Sequence, residues 1–249
     1  MMLNEKVAII SGGARGIGAA LAKAFVKNGA RVVVGDLLDK LGEAVAAELN
    51  GGKDARSAQY VHLDATRKAD WDHAVIVAEQ TFGQLTTLVN NAGVHGRLGL
   101  EDTSEEEWHR VMDADLKSAW LGMKICIPAL RRAGGGAIVN TSSVYGLVAS
   151  GAATAYHSAK GGVLMLYKAA AVQYAAENIR VNCIHPGLID TPMTETLPQP
   201  WKESLLRMTP AKRFGRAEEV ANPVVFLVSD YASFITGASL VVDGGLTAI

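Results

Sequence analysis

Residues 11–18 read Ser11-Gly12-Gly13-Ala14-Arg15-Gly16-Ile17-Gly18, between an apolar run at 6–10 and a helix-like stretch at 18–28. Glycines between a strand and a helix permit a tight turn, a close backbone approach to a pyrophosphate, and close helix–strand packing. The helix that follows offers free backbone N–H groups and a positive dipole end to phosphate oxygens. A glycine pattern alone is a weak signal, but the strand before it and the helix after it supply the context the chemistry requires. The expectation is a nucleotide-binding turn that uses Gly12, Arg15, Gly16, Ile17 and Gly18.

The next apolar run ends in Val34-Gly35-Asp36, eighteen residues beyond Gly18. A carboxylate at about that distance can accept hydrogen bonds from an adenosine ribose. It would also repel a 2′-phosphate, so Asp36 argues for NAD over NADP. Arg15 argues the other way, since it could pair with that phosphate, but Leu37 adds no second basic group. A helix N-cap role for Asp36 is compatible with ribose binding.

Outward from the turn, short Val/Ile-rich runs at 6–10, 31–34, 58–63, 87–90, 137–140, 180–184 and 239–242 read as strands. They lack polar alternation, which suits strands buried on both faces of a parallel sheet. Helical patterns fall between them at 18–28, 38–50, 69–82, 105–132, 155–177 and 217–229. Ser104 followed by Glu107 has the form of a capping box and marks a helix start. Such alternation predicts an α/β fold: one doubly wound parallel sheet of about seven strands with helices on both faces. The chain, 1–249, reads as a single domain. Residues 191–214, interrupted by Pro192, Pro198, Pro200 and Pro210, read as one long irregular loop and a candidate substrate lid.

Lys plus Arg number 24 against 25 Asp plus Glu, for a net charge of -1, with no basic run. Nucleic acid and anionic membranes are therefore not expected partners. Residues 1–6 lack the halves of a signal peptide, and no apolar stretch reaches about 18 uncharged residues, so a cytoplasmic protein is expected. Cys126 and Cys183 sit in apolar runs and read as buried, reduced thiols. No His/Cys/Asp grouping has metal-ligand spacing, so no metal is expected.

Tyr156-His157-Ser158-Ala159-Lys160 puts a phenol and an ammonium four residues apart within a helical pattern. That spacing places them on one helix face, about 5–6 Å apart at Cβ. Bringing a phenol from a pKa of about 10 to near 7 takes ~4 kcal/mol. One unit charge at about 4 Å supplies roughly that much at an effective dielectric of about 20. Lys160 beside Tyr156 can therefore make a proton acceptor of the phenol. A Tyr–Lys pair at this spacing also arises by chance on many helices, so the neighbours matter.

Those neighbours are Asn90-Asn91-Ala92-Gly93, Ser143 thirteen residues before Tyr156, Pro186-Gly187, and Val242-Asp243-Gly244-Gly245. With the glycine turn, Asp36 and Asp64, this ordered set resembles the short-chain dehydrogenase/reductase family over essentially the whole length. The resemblance implies a Rossmann-type domain that moves a hydride between nicotinamide and an alcohol or ketone. It implies that Ser143 polarises the substrate oxygen, Tyr156 moves the proton, and Lys160 holds the nicotinamide ribose and lowers the tyrosine pKa. Leu63 and Asp64 would flank adenine, Asn90 would lie by the adenosine side, and Ala92 and Gly93 would also bind the cofactor. Pro186, Gly187, Ile189 and Thr191 would orient the carboxamide. Thr191 could instead end a turn before Pro192, and Asn90 could brace the strand end.

The chain departs from the family pattern at three places. Ser11 stands for the usual Thr, and Ala65 for a β-branched residue. Asp115 stands where the family has its catalytic Asn, so the amide donors are lost and a charge is gained. Local strings such as Ser142-Ser143-Val144-Tyr145-Gly146-Leu147-Val148 look most like dehydrogenases of cyclic secondary alcohols, and hydroxysteroid dehydrogenases share much of them. His95, Tyr145, Leu188 and Met193, with Leu197 and Trp201 from the lid, would wall a mainly apolar pocket for a neutral substrate. His95 reads more readily as a loop-surface residue than as a substrate contact. An NADPH carbonyl reductase and a non-enzymatic NAD-binding sensor are the competing readings, the second resting on Asp115 alone. Helices 105–132 and 155–177 carry surplus apolar surface, and the resemblance implies that they pair in a homotetramer.

Overall fold

A computed structural model describes residues 1–51 and 56–248. Strand β1 (Val7–Ser11) runs into the glycine turn and helix α1 (Gly16–Lys27). Next come β2 (Arg31–Asp36), α2 (Asp39–Asn50), β3 (Ala58–His62), α3 (Lys68–Phe82) and β4 (Thr87–Asn90). Helix α4 (Glu105–Met112) passes through a π-helical segment, Asp113–Lys117, into α5 (Ser118–Arg132) and then β5 (Gly136–Thr141). Helix α6 (Thr154–Tyr174) and β6 (Ile179–Pro186) follow. The chain finishes with α7 (Pro192–Glu195), α8 (Gln199–Met208), α9 (Ala217–Val228) and β7 (Ser239–Val242).

All seven expected strands form one parallel sheet in the order β3-β2-β1-β4-β5-β6-β7. Strand β1 shows why the apolar runs lack alternation. Val7 and Ile9 pack into one core with residues of α3, α5 and α6, while Ala8 and Ile10 pack into another with α1 and α9. Successive side chains point to opposite faces, so a strand covered on both sides must be apolar throughout. Chain order reverses between β1 and β4, and the crevice at the carboxyl ends of these strands is where α/β sheets bind ligands.

Several local expectations need correction. Residues 191–214 are not one irregular loop: they contain α7 and α8, because Pro192 and Pro200 stand in the first positions of those helices. A proline there forfeits only an N–H that has no intrahelical partner. The capping box at Ser104 is half formed. Ser104 Oγ accepts from Glu107 N at 3.1 Å, but the Glu107 carboxylate turns to Arg110 at 2.7 Å. The helix expected at 105–132 is interrupted by the π segment, and the one expected at 155–177 gives way after Tyr174 to a 3-10 turn. No helix among the described residues is long and apolar enough to cross a membrane. No His/Cys/Asp/Glu group among them is placed to hold a metal, and both cysteines are buried and free.

Candidate active site

The loops after β1 to β6 together line one long cleft of about 370 Å³. At one end lie Asp36, Leu63 and Asp64, at the other Ser143, Tyr156 and Lys160, with Gly12, Arg15, Gly16 and Ile17 between them. Ala92, Gly93, Pro186, Gly187, Ile189 and Thr191 complete the walls. The Asp36 carboxylate accepts from Ala14 N and Leu38 N, both at 3.0 Å, which holds it over the glycine turn. Leu38, not Asp36, is the N-cap of α2, so the helix-cap reading of Asp36 does not hold.

Two expected cofactor residues do not line the cleft. A Cβ on Gly18 would strike the Gly12 carbonyl, so Gly18 serves the packing of α1 against the turn. Asn90 is buried beneath the cleft, its amide donating to Asn140 Oδ1 at 2.9 Å and Ala119 O at 3.2 Å. Its neighbour Asn91 faces the turn instead and donates to Ser11 O and Gly12 O. Ser11 Oγ accepts from the Asn91 and Ala92 N–H groups, so serine retains the one function its hydroxyl has there. The Ala65 carbonyl accepts from the indole of the buried Trp71, a contact that does not depend on the side chain at 65.

At the other end, Ser143 caps a 3-10 turn, Val144–Gly146, and its Oγ accepts from Tyr145 N at 3.2 Å. Tyr156 sits in the first turns of α6 behind Ala153, whose φ of 64° is left-handed, a conformation costing a non-glycine residue about 1–3 kcal/mol. Lys160 Nζ lies 5.6 Å from the Tyr156 ring centre, donates to Thr141 O at 3.1 Å, and pairs with Asp115 Oδ1 at 2.9 Å. Asp115 belongs to the π segment, which carries it inward to be buried, and its Oδ2 accepts from Val94 N at 3.1 Å.

The charges follow from this geometry. Burial opposes the charge on Lys160, but the Asp115 carboxylate and Tyr156 outweigh it and hold the ammonium above the usual lysine range. Burial pushes the Asp115 carboxyl up, against the pull of Lys160. The Tyr156 phenol is pushed up by burial; Lys160 and a Ser143 hydrogen bond work against this, and the Asp115 charge adds to it.

A second cavity, about 340 Å³, opens beside the reacting end. Its lining includes the expected His95, Tyr145, Leu188 and Met193, together with Leu197 and Trp201 from α7–α8. It meets the cleft at Ser143, Tyr156, Gly187, Met193 and Thr194. His95 is half-buried in the pocket wall, its ring stacked on Tyr156 at 4.8 Å with an interplanar angle of 11°. Burial above all, then the charge of Arg97, pushes its pKa down to about 4, so it is neutral at pH 7.

Sequence reasoning missed Leu205, Met208 and Leu246 in this cavity. It also missed a hydrogen-bonded chain below Ser143, in which the Ser143 carbonyl meets the buried His185, His185 meets Ser239, and Ser239 meets Tyr167 at 2.6 Å. A period-3.6 reading of the lid could have found Leu205 and Met208. Nothing local signals a contact between residues 42 and 54 positions apart.

A nucleotide cleft meeting an apolar cavity at a tyrosine–lysine pair defines an oxidoreductase of the Rossmann-fold type. A family model described as enoyl-(acyl carrier protein) reductase matches residues 12–247. The chain is 45% identical over 246 residues to a 3-alpha-(or 20-beta)-hydroxysteroid dehydrogenase of Mycobacterium tuberculosis, covering 99% of this chain and 91% of that one. A trans-4-hydroxycyclohexanecarboxylate dehydrogenase of Sinomonas cyclohexanicum is 44% identical, covering 98% and 93%. A cyclopentanol dehydrogenase of Comamonas testosteroni is 43% identical, covering 99% and 98%. The chain belongs to the short-chain dehydrogenase/reductase family, and it is an enzyme that uses a nicotinamide cofactor.

Proposed function

We propose that the protein oxidises neutral cyclic secondary alcohols, and reduces the matching ketones, with NAD as cofactor. The observation that carries this reading is the junction of cleft and cavity at Ser143 and Tyr156, with Lys160 beside the phenol. The cleft suits a dinucleotide: it runs from Asp36 past the glycine turn to Lys160, and Gly12 lets that turn pack against the loop after β4, since a Cβ there would fall 2.9 Å from Ala92 Cα. Nicotinamide, when bound, supplies the hydride acceptor in oxidation and the donor in reduction.

Each end of the cleft then has its work. Gly12, Arg15, Gly16 and Ile17 hold the pyrophosphate, Asp36 the adenosine ribose, and Leu63 and Asp64 the adenine. Ala92 and Gly93 back the middle of the cofactor, and Pro186, Gly187, Ile189 and Thr191 set the carboxamide. Asp36 selects NAD because its carboxylate repels a 2′-phosphate. Ser143 hydrogen-bonds the substrate oxygen, and Tyr156 takes its proton in oxidation and returns it in reduction. Lys160 binds the nicotinamide ribose and favours the phenolate, while Asp115 keeps Lys160 charged. Residues 191–214 act as the lid, bringing Met193, Leu197 and Trp201 over the substrate ring.

The cavity admits a second reading, since its 340 Å³ lies at the lower end of the roughly 300–1,000 Å³ of small-molecule pockets. A hydroxysteroid fits that range, and one relative carries that activity in its name. Steady-state rates with NAD and NADP on a panel of cyclic alcohols and hydroxysteroids test both. Oxidation of the small cyclic alcohols with NAD at the higher kcat/KM is expected; rates confined to steroids would favour the second reading. Absence of turnover with every alcohol would overturn both.

A further inference from the structure

Some polar groups of the substrate cavity have assigned work and others do not. Ser143 and Tyr156 serve the reacting oxygen. Thr194 Oγ1 is spent on Ile189 O at 2.7 Å, and Ser150 Oγ on Ala152 O at 3.2 Å. Arg97, next to the cavity, is tied to the end of α7, donating to Thr196 O at 3.1 Å and Thr196 Oγ1 at 2.5 Å. His95 remains. It lines the cavity, its ring lies flat against Tyr156, and its Nδ1 is buried without a hydrogen bond among the described residues.

Nδ1 is closed off and has no surface for a ligand, so the other ring nitrogen, Nε2, is the one left to meet a substrate atom. The stack on Tyr156 fixes where that atom must be. An imidazole 4.8 Å from the phenol ring stands beside the reacting carbon, within reach of an oxygen one or two ring carbons away. A neutral imidazole has one donor and one acceptor nitrogen, which suits a hydroxyl or a carbonyl.

We propose that His95 is a specificity-determining residue that hydrogen-bonds a second, uncharged oxygen of the substrate ring, so that ring diols and hydroxyketones are preferred over simple ring alcohols. The proposal rests on the dehydrogenase reading above and names the substrate class within it. The low pKa of His95, set mainly by burial and by Arg97, keeps the ring neutral through the working range, so the preference does not vary between about pH 6 and pH 9. A carboxylate in place of the second oxygen gains no ionic partner from His95.

The test is the ratio of kcat/KM for 1,2- and 1,3-cyclohexanediols to kcat/KM for cyclohexanol, measured with saturating NAD. His95→Phe keeps an aromatic ring against Tyr156 and removes both nitrogens, and His95→Asn keeps a hydrogen-bonding group. The wild type should favour at least one diol by about tenfold, the worth of one added hydrogen bond. His95→Phe should bring the ratio to about one, and His95→Asn should restore part of it. A diol ratio unchanged in His95→Phe overturns the proposal, as does a ratio abolished by Tyr145→Phe instead. A wild type that oxidises cyclohexanol but no diol overturns it while leaving the dehydrogenase reading intact. A wild type that oxidises neither overturns both.

Discussion

The Asp115 carboxylate stands 2.9 Å from Lys160 Nζ, and both side chains are almost wholly buried. An ion pair removed from water in this way is strongly coupled, so a change at one member is felt by the other and by whatever the pair faces. It faces Tyr156, which Lys160 pushes toward the phenolate and Asp115 pushes back. Where the family pattern has an amide, this chain has a carboxyl that burial pushes up and Lys160 pulls down.

Replacing Asp115 by Asn removes the group that raises the Tyr156 pKa while keeping the shape. Alcohol oxidation needs the deprotonated phenol, so its ascending limb should move toward lower pH. Lys160 loses the partner that holds its pKa up, so the loss of activity at alkaline pH should also begin earlier. The measurement is kcat/KM for oxidation against pH under saturating NAD, for both proteins. An ascending limb that stays in place would show that the Asp115 charge does not reach the phenol.

Gly93 abuts this pair. A Cβ there would lie 2.5 Å from Asp115 Oδ1 and 3.3 Å from Lys160 Nζ. Gly93→Ala should therefore displace one ion from the other and cost about 1–3 kcal/mol by overpacking. A lower Tm together with at least a tenfold fall in kcat is expected, and a variant matching the wild type in both would contradict the packing argument.

Tyr156→Phe removes the proton-transfer oxygen and leaves the ring stacked on His95. The expected loss in kcat is on the order of 10²–10⁴, the usual worth of general acid–base catalysis. NAD affinity, read by fluorescence titration, should change by no more than a few fold. Retention of most of the wild-type rate would remove Tyr156 from the proton path.

Asp36→Ala tests cofactor choice. Loss of a charged hydrogen-bond partner costs about 1.5–3 kcal/mol, so the Kd for NAD should rise about ten- to a hundredfold. The Kd for NADP should rise less or fall, because the repulsion is gone. Equal affinity of the wild type for the two cofactors would refute the assignment.

Helices α5 and α6 leave Trp120 43%, Met165 58% and Val172 84% exposed. Apolar surface of this kind is most often covered by symmetric pairing of copies. A homotetramer is expected by light scattering at micromolar concentration, and a Val172→Glu variant should weaken it. A monomeric wild type would exclude the arrangement.

The sheet and its cofactor end were legible because their signals are local. β1, the glycine turn and α1 are contiguous, and a strand buried on both faces must be apolar at every position, as Val7 to Ile10 are. Tyr156 and Lys160 were legible for the same reason, since helical periodicity alone puts them on one face. What chain order does not carry is which distant residues meet. That Asn91 rather than Asn90 faces the turn depends on how the loop after β4 leaves the sheet. That His95 stacks on Tyr156, 61 residues away, depends on the same loop folding back against α6. The prolines of 191–214 were read as breakers, yet Pro192 and Pro200 open helices, because the effect of a proline depends on which end of an element it occupies. The sequence named Asp115 as a departure from the family pattern; only the tertiary fold decided what it meets, because the π segment turns it out of water and against Lys160.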